Sequence, residues 1–362
     1  MEINTDPLLQ EFFHNRQLKK STILRYQYVL QNYCKFTTLT PTQLIEEAEH
    51  EEDTNIRLRN RKVKKYIYTF YDHLKKRNHS PNSVRGMITG VKTFYREFEI
   101  ELPYMRFKYG TTTSDIIPTL DDIKLAVMKA NPKYRAIIIL MVSSGMAAAE
   151  IRGLTVEQFL RGTKEYHQTS INSGIDISET LNKLRDKMDS CVPTWKVKRK
   201  KTGHYFTTFS TPESVDFILQ YLTEYPPENI TDYLFRVDGH QITENAFRNY
   251  FYKHNKRCGW GLDGYQIHFR SHNLRKYFTS VLYKEKLPKL IIDWLLAHRI
   301  NPVDAAYFKM DVDKVKEDYK SVMEHLFITY EVEVRVITED RLKRLEDEIE
   351  MLTTQLKQLK PE

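Results

Sequence analysis

The sequence predicts a mainly α-helical protein of two domains carrying one small β-sheet. Apolar residues recur at helical spacing over residues 8–101, and again through most of residues 119–327. Between these stretches the periodicity lapses at residues 101–120. Near residue 195 it gives way to strand-like alternation.

The first domain is expected at residues 1–105. Leu9, Phe12 and Phe13 open one apolar face. Ile23, Tyr26, Leu30, Tyr33 and Cys34 form the next, with Ser21 as its expected N-cap. "NIRLRNRKVKKYIYTFYDHLKKRN" and, after the Ser80-Pro81 start signal, "NSVRGMITGVKTFYREF" supply two further helices. A linker follows at residues 106–117, within "ELPYMRFKYGTTTSDIIPTL", where Pro103, Gly110 and Pro118 interrupt any regular element.

The second domain is expected at residues 118–330. Thr119 is placed to cap a helix whose first turn carries Asp121 and Asp122. "KYRAIIILMVSSG" reads as an apolar helix ending near Gly145. Residues 160–190 read as a mostly polar insertion with one helix. "TWKVKRKKTGHYFTTFSTPES" reads as two strands about a Lys-Thr-Gly turn, and helices resume from Glu213 to about Phe327. In the tail, residues 331–362, Leu342, Leu345, Ile349, Leu352, Leu356 and Leu359 make an a/d seam amid charged residues. That helix either folds back on its own domain or pairs with another copy.

Of the 362 residues, 41% are apolar, enough for real cores, so disorder is not expected. Lys and Arg exceed Asp and Glu by 56 to 48, which favours a polyanionic partner without requiring one. Cys34, Cys191 and Cys258 are odd in number and far apart, so neither a disulfide framework nor a zinc site is suggested. No basic-then-apolar leader opens the sequence, and no run reaches the roughly 18 apolar residues of a membrane span. An intracellular soluble protein is expected.

Charge is uneven along the first domain. Arg57, Arg59, Arg61, Lys62, Lys64, Lys65, Lys75, Lys76 and Arg77 face one acid, Asp72, and Tyr66, Tyr68 and Tyr71 interleave with them. A solvated helix face and a phosphate-contacting surface are both open readings.

Four short segments of the second domain concentrate groups able to do chemistry. "HNLRKYF" sets His272 and Arg275 three apart, on one helix face. "WLLAHRINPVDAAYFKM" puts His298 after an apolar helix and Tyr307 nine residues on. Lys201 stands in the hairpin turn, among Lys198, Arg199 and Lys200. "SSGMAAAEIRGL" carries Ala147 and Glu150.

Together these segments resemble the tyrosine recombinase, or phage integrase, family over both domains. "HNLR" matches the box holding the family's second catalytic arginine, and "LLAH" matches the box holding its next member. Tyr307 falls at the spacing of the nucleophile. The resemblance implies a two-domain DNA clamp, a helical SAM-like core-binding domain joined to the catalytic domain. It implies no cofactor and no metal, and a tetramer on double-stranded DNA.

The chemistry so implied is transesterification. Tyr307 attacks a phosphodiester to give a 3′-phosphotyrosyl link, while Arg275, His272 and His298 donate to the phosphate oxygens. A lysine, Lys201 with Lys198 and Lys200 as rivals, protonates the leaving 5′ oxygen. Arg57, Arg59, Arg61, Lys62, Lys64, Lys65, Lys198, Arg199 and Lys200 are the expected phosphate contacts. Tyr319 is a weaker competitor for the nucleophile.

One departure stands out. "SGMAAAEI" aligns with the family's approximate "TGLRxxEL", so Gly145 falls on the glycine, Glu150 on the supporting acid and Ala147 on the first catalytic arginine. Cleavage is therefore expected to be impaired. The alanine is engineered or natural, or Arg152 or Arg299 substitutes for the missing group. The rival reading is a non-catalytic DNA-binding protein derived from the family. A metal-dependent nuclease is disfavoured, since no acidic or histidine cluster with convincing ligand spacing is read. The expected setting is a prokaryotic cytoplasm, at the nucleoid or on a provirus or plasmid.

Overall fold

A computed structural model describes residues 3–110, 116–172, 174–200, 202–263, 265–301 and 311–330. Lys201, Tyr307 and the tail's a/d seam lie outside them. The chain divides into two compact units, residues 1–114 and 115–362, each of which has its own core.

The first unit holds helices α1 (Pro7–Asn15), α2 (Lys20–Thr37), α3 (Pro41–Asp53), α4 (Lys62–Lys76) and α5 (Pro81–Glu97). Short polar side chains set most of the starts. Asp6 caps α1 through the Leu9 amide and also accepts from the Thr42 hydroxyl at 3.0 Å, tying α1 to α3. Thr40 and Gln43 close a capping box on α3, and Ser80 precedes Pro81 at the head of α5. The expected Ser21 cap is corrected: α2 begins at Lys20, Ser21 lies inside its first turn, and the Lys19 carbonyl takes the Thr22 and Ile23 amides. Aromatic rings fill the core. Phe12, Tyr33, Phe70, Phe94 and Tyr95 are all buried, and the Tyr33 and Tyr95 hydroxyls satisfy each other at 3.3 Å.

The second unit opens with α6 (Leu120–Lys129), where Thr119 and Asp122 form a capping box. Its axis is α7 (Pro132–Ser144), entered through Asn131 and Pro132. Every residue of α7 from Ala136 to Ser144 is fully buried, as a run with no charged face requires. Packed on α7 are α12 (Pro212–Glu224) and α14 (Ser271–Lys284). Helix α7 stops at Gly145, whose φ of +65° no β-carbon-bearing residue adopts cheaply. Short helices α8 (Ala148–Ile151) and α9 (Val156–Gly162) follow.

The polar insertion is richer than the one helix expected. It contains α10 (Lys164–His167) and α11 (Ile177–Arg185), with a 3-10 turn at Met188–Ser190. Leu181 and Leu184 of α11 enter the core around α7, so this segment is part of the fold. Four residues of α10 are too few to display a period, which is why sequence pattern missed it.

Strands β1 (Thr194–Lys198) and β2 (Tyr205–Phe209) pair antiparallel, from Thr194 opposite Phe209 to Lys198 opposite Tyr205. The expected single sheet is joined by two more hairpins, Arg236–Val237 with His240–Gln241 and Leu262–Asp263 with Gln266–Ile267. They flank α13 (Glu244–Cys258), in a stretch read as continuous helix. Two residues per strand leave no alternation to detect.

After α14 come α15 (Lys289–Leu295), α16 (Val312–Lys320) and a 3-10 turn at Met323–Leu326. The buried Glu213 carboxylate then receives the Ile328 and Thr329 amides and the Thr329 hydroxyl, fixing the chain there. No described helix is long and apolar enough to cross a membrane.

Candidate active site

The site is built where the ends of α7, α14 and α15 meet, and Gly145 is what lets them meet. A β-carbon on Gly145 would lie 2.5 Å from Cδ1 of Phe278 on α14 and 2.9 Å from Cδ2 of Leu296 after α15. Only glycine supplies both the backbone turn and the room.

Arg275, 9% exposed, binds these ends together. Its Nη1 donates to the Gly145 carbonyl at 2.6 Å and its Nη2 to the Leu296 carbonyl at 2.5 Å. Its charge is under pressure. Burial and then the neighbouring Arg199 pull the guanidinium pKa down to about 10, while Glu150 works the other way. Glu150 lies on α8 and is 5% exposed; its Oε2 accepts no hydrogen bond among the described residues.

Ala147 occupies the N-cap position of α8 and contributes no capping bond. Its methyl is half-buried, and the polar group expected of an active-site helix is absent there. Three residues before Arg275, His272 is exposed on the first turn of α14. Partial burial, with Arg270, Lys276 and Arg275 around it, holds its imidazole below the ordinary value. At neutral pH it is therefore a neutral ring with one donor. Beside it, Ala148, Arg152, Arg270 and Tyr265 help to line a cavity of about 530 Å³.

His298 is exposed, and its ring is oriented by Asp293, whose Oδ1 lies 3.0 Å from Nδ1. Lys289 and His298 hold the Asp293 carboxylate below its usual range despite partial burial. The turn between α15 and His298 passes through Ala297 at φ +49°, a strained conformation for alanine. With Asp293 as the acceptor for Nδ1, Nε2 is left as the nitrogen that can face a substrate.

The hairpin turn contributes Arg199, which sequence reasoning placed only among the phosphate contacts. Its Nη1 donates to the Leu296 carbonyl at 2.7 Å and also to the Ala297 carbonyl. Lys198 sits over the Tyr205 ring at 5.8 Å, and Lys200 is exposed, with its chain near Gly153. Tyr319 is fully buried, its hydroxyl donating to the Ser143 carbonyl at 2.7 Å. Arg152 donates to the Ile242 carbonyl at 3.0 Å, and Arg299 is exposed beside His298.

The structure thus brings Arg275, Glu150 and Arg199 together, with Ala147 two residues from the Gly145 carbonyl that Arg275 grips. Asp293 is the residue here that the sequence did not single out, and Arg199 stood only among the expected phosphate contacts. An acid five residues before His298 is the one trace Asp293 leaves in the sequence.

In the first unit the basic run is split. Arg57, Arg59 and Lys65 are exposed and Lys64 is half-buried. Lys62 pairs with Glu47 at 2.6 Å. Arg61 is 8% exposed, and its guanidinium is occupied by Glu52 and by the Ile56 and Glu101 carbonyls.

A sequence model of the phage integrase family matches residues 119–311 of the chain. No curated protein sequence matches it. Among solved structures, the chain is similar to the Tn1549 transposon integrase in complex with transposon right end DNA. That likeness has a TM-score of 0.55 at 12% identity, covering 87% of this chain and 98% of the other. It is similar too to a lambda integrase dimer bound to a COC′ core site, with a TM-score of 0.51 at 14% identity over 85% of this chain and 98% of that one. A lambda integrase tetramer bound to a Holliday junction gives 0.52 at 14% identity, over 83% and 75%.

Proposed function

The chain belongs to the phage integrase family, and from that premise we propose that it is a site-specific DNA recombinase whose strand cleavage is slowed by Ala147. It breaks and rejoins duplex DNA through a 3′-phosphotyrosyl intermediate, working as a tetramer on paired sites. The single observation that carries this reading is Arg275 at the meeting of three helix ends, partly desolvated and repelled by Arg199. Such a cation is poised to gain from an incoming phosphate.

In this reading the Tyr307 hydroxyl oxygen attacks phosphorus, releasing its proton to solvent, as the bond to the 5′ oxygen breaks. Charge grows on the non-bridging oxygens, where a preorganised guanidinium acts most strongly. His272, neutral at working pH, donates one hydrogen bond. His298 donates from Nε2, with Asp293 fixing its tautomer. The leaving oxygen takes its proton from a lysine of the hairpin turn, Lys201 or its neighbours Lys198 and Lys200. Exposed basic residues, Arg57, Arg59 and Lys65 among them, neutralise backbone phosphates of DNA held by both units.

Ala147 also favours a second reading, a DNA-binding relative that does not cut. One experiment separates the two. DNA fragments of the source genome retained by the chain define its site, and Ala147→Arg is then assayed for cleavage of that site. A gain of tenfold or more in cleavage rate, with affinity little changed, is the recombinase outcome, because the added donor acts mainly in the transition state. Tight binding with no cleavage by either chain is the outcome of the non-cutting binder.

A further inference from the structure

We propose that Arg199 is a second phosphate-binding guanidinium of this site, carrying part of the role that an arginine at position 147 would have; this rests on the recombinase reading above. The side chain is held from both ends. Its backbone closes the hairpin turn, its amide donating to the His204 carbonyl and its carbonyl accepting the Gly203 amide, each at 2.8 Å. Its Nη1 meets the Leu296 carbonyl, the same oxygen to which Arg275 donates Nη2. Two guanidinium groups therefore converge on one carbonyl oxygen.

Neither is used up there. Among the described residues, Nε and Nη2 of Arg199 and Nε of Arg275 donate to no acceptor. Two like charges this close repel, and Glu150 is an acid whose charge acts on Arg275. One carboxylate against two cations leaves the cluster electropositive, so an anion carrying several acceptor oxygens stabilises it. A phosphodiester is such an anion. The strained turn at Ala297 lies where Arg199 grips that residue's carbonyl, linking the hairpin to the segment that orients His298.

The alternatives are less well placed. Arg152 is tied to the Ile242 carbonyl, and Arg299 is exposed with no described contact to Arg275. In the proposed step no proton passes through Arg199. It donates hydrogen bonds to a non-bridging oxygen while the tyrosyl bond to phosphorus forms and the bond to the 5′ oxygen breaks.

The test is a double-mutant cycle on a nicked duplex bearing the DNA sequence that the chain selects, with a metal chelator present. Covalent adduct rate, DNA affinity and melting temperature are measured for the chain itself, Arg199→Ala, Ala147→Arg and the double variant. Arg199→Ala is expected to slow adduct formation roughly 100-fold in the Ala147 background, as loss of one preorganised donor does. With Ala147→Arg present the loss should be less than about tenfold, since the two guanidinium groups act on one phosphate. Affinity should change by no more than about threefold.

Equal losses in both backgrounds would show that Arg199 only braces the turn at Leu296 and Ala297, and would overturn the proposal. So would an undiminished rate in Arg199→Ala, or the background-dependent loss appearing in Arg152→Ala instead. Those results leave the recombinase reading standing. Absence of adduct from every chain on DNA that it binds sinks that reading, and this proposal with it.

Discussion

Replacing Gly145 by alanine tests how the site is held together. Two costs add at this position. Alanine at φ +65° in the left-handed region loses roughly 1–2 kcal/mol. The new methyl would also sit 2.5 Å and 2.7 Å from two ring carbons of Phe278 and 2.9 Å from Leu296 Cδ2. Phe278 and Leu296 are buried, so neither can swing into solvent, and overpacking of this kind costs about 1–3 kcal/mol. Together they amount to roughly 2–5 kcal/mol. For a unit of this size that lowers the melting temperature by roughly 4–20 °C. Gly259→Ala is the matched control. Its φ is +81°, with nothing within 4 Å of the added carbon, so only the backbone cost of roughly 1–2 kcal/mol applies. Calorimetric melts of the full chain compare the two. Because Leu296 carries the carbonyl shared by Arg275 and Arg199, Gly145→Ala should also depress cleavage when assayed well below its melt. If both variants melt alike, the close packing of Gly145, Phe278 and Leu296 is not what positions these arginines.

Other expectations follow from individual interactions. Tyr319→Phe leaves the Ser143 carbonyl without its 2.7 Å partner and should cost about 1–2 kcal/mol in urea unfolding, with covalent adduct formation unchanged. Asp122 is held below its ordinary value of 3.8, against partial burial, by the Thr119 amide and hydroxyl and by His268. Its contribution is present above that value and lost as pH falls through the depressed one. Asp122→Asn should therefore cost about 1 kcal/mol at pH 7, and the difference should shrink as pH falls below 3.8. Joint replacement of Lys62, Lys64 and Lys65 by alanine should lower the salt slope of DNA binding by up to ~0.9 for each phosphate no longer neutralised, with little change in melting temperature. Arg61→Met should do the reverse, because Arg61 is buried on Glu52 and two carbonyls. An unmoved slope in the lysine variant would mark that face as merely solvated.

What the sequence disclosed depended on the range over which each signal acts. The Thr119 cap, the Gly145 stop and the pairing of β1 with β2 are set by neighbours within a few residues, so composition and period revealed them. Helix α7 was legible because nine successive buried residues admit no charged side chain. Arg275 drew notice through the match of "HNLR" to a family box, since its spacing from His272 on a helix face is a weak signal by itself. Arg199 stood only among the expected phosphate contacts; its place beside Arg275 was not legible, since its partners lie 97 and 98 residues away at carbonyls that only the folded chain brings near. The Asp293–His298 pair was missed for a related reason. A separation of five residues does not align two side chains on a helix, and the positive φ at Ala297 is what turns the histidine back. The two-residue strands around α13 and the four-residue α10 are too short to show a period. At Ser21, a good capping residue gave way to Lys19 because the chain enters α2 two residues earlier.

The most direct test of the recombinase account is the covalent intermediate itself. The chain and its Ala147→Arg variant are incubated with a chelator and a nicked duplex of the selected sequence, then digested, and the nucleotide-bearing peptide is identified by mass spectrometry. The account predicts an adduct on Tyr307, formed faster by Ala147→Arg and absent from Tyr307→Phe. An adduct on any other residue, or none on DNA that both chains bind, would contradict it.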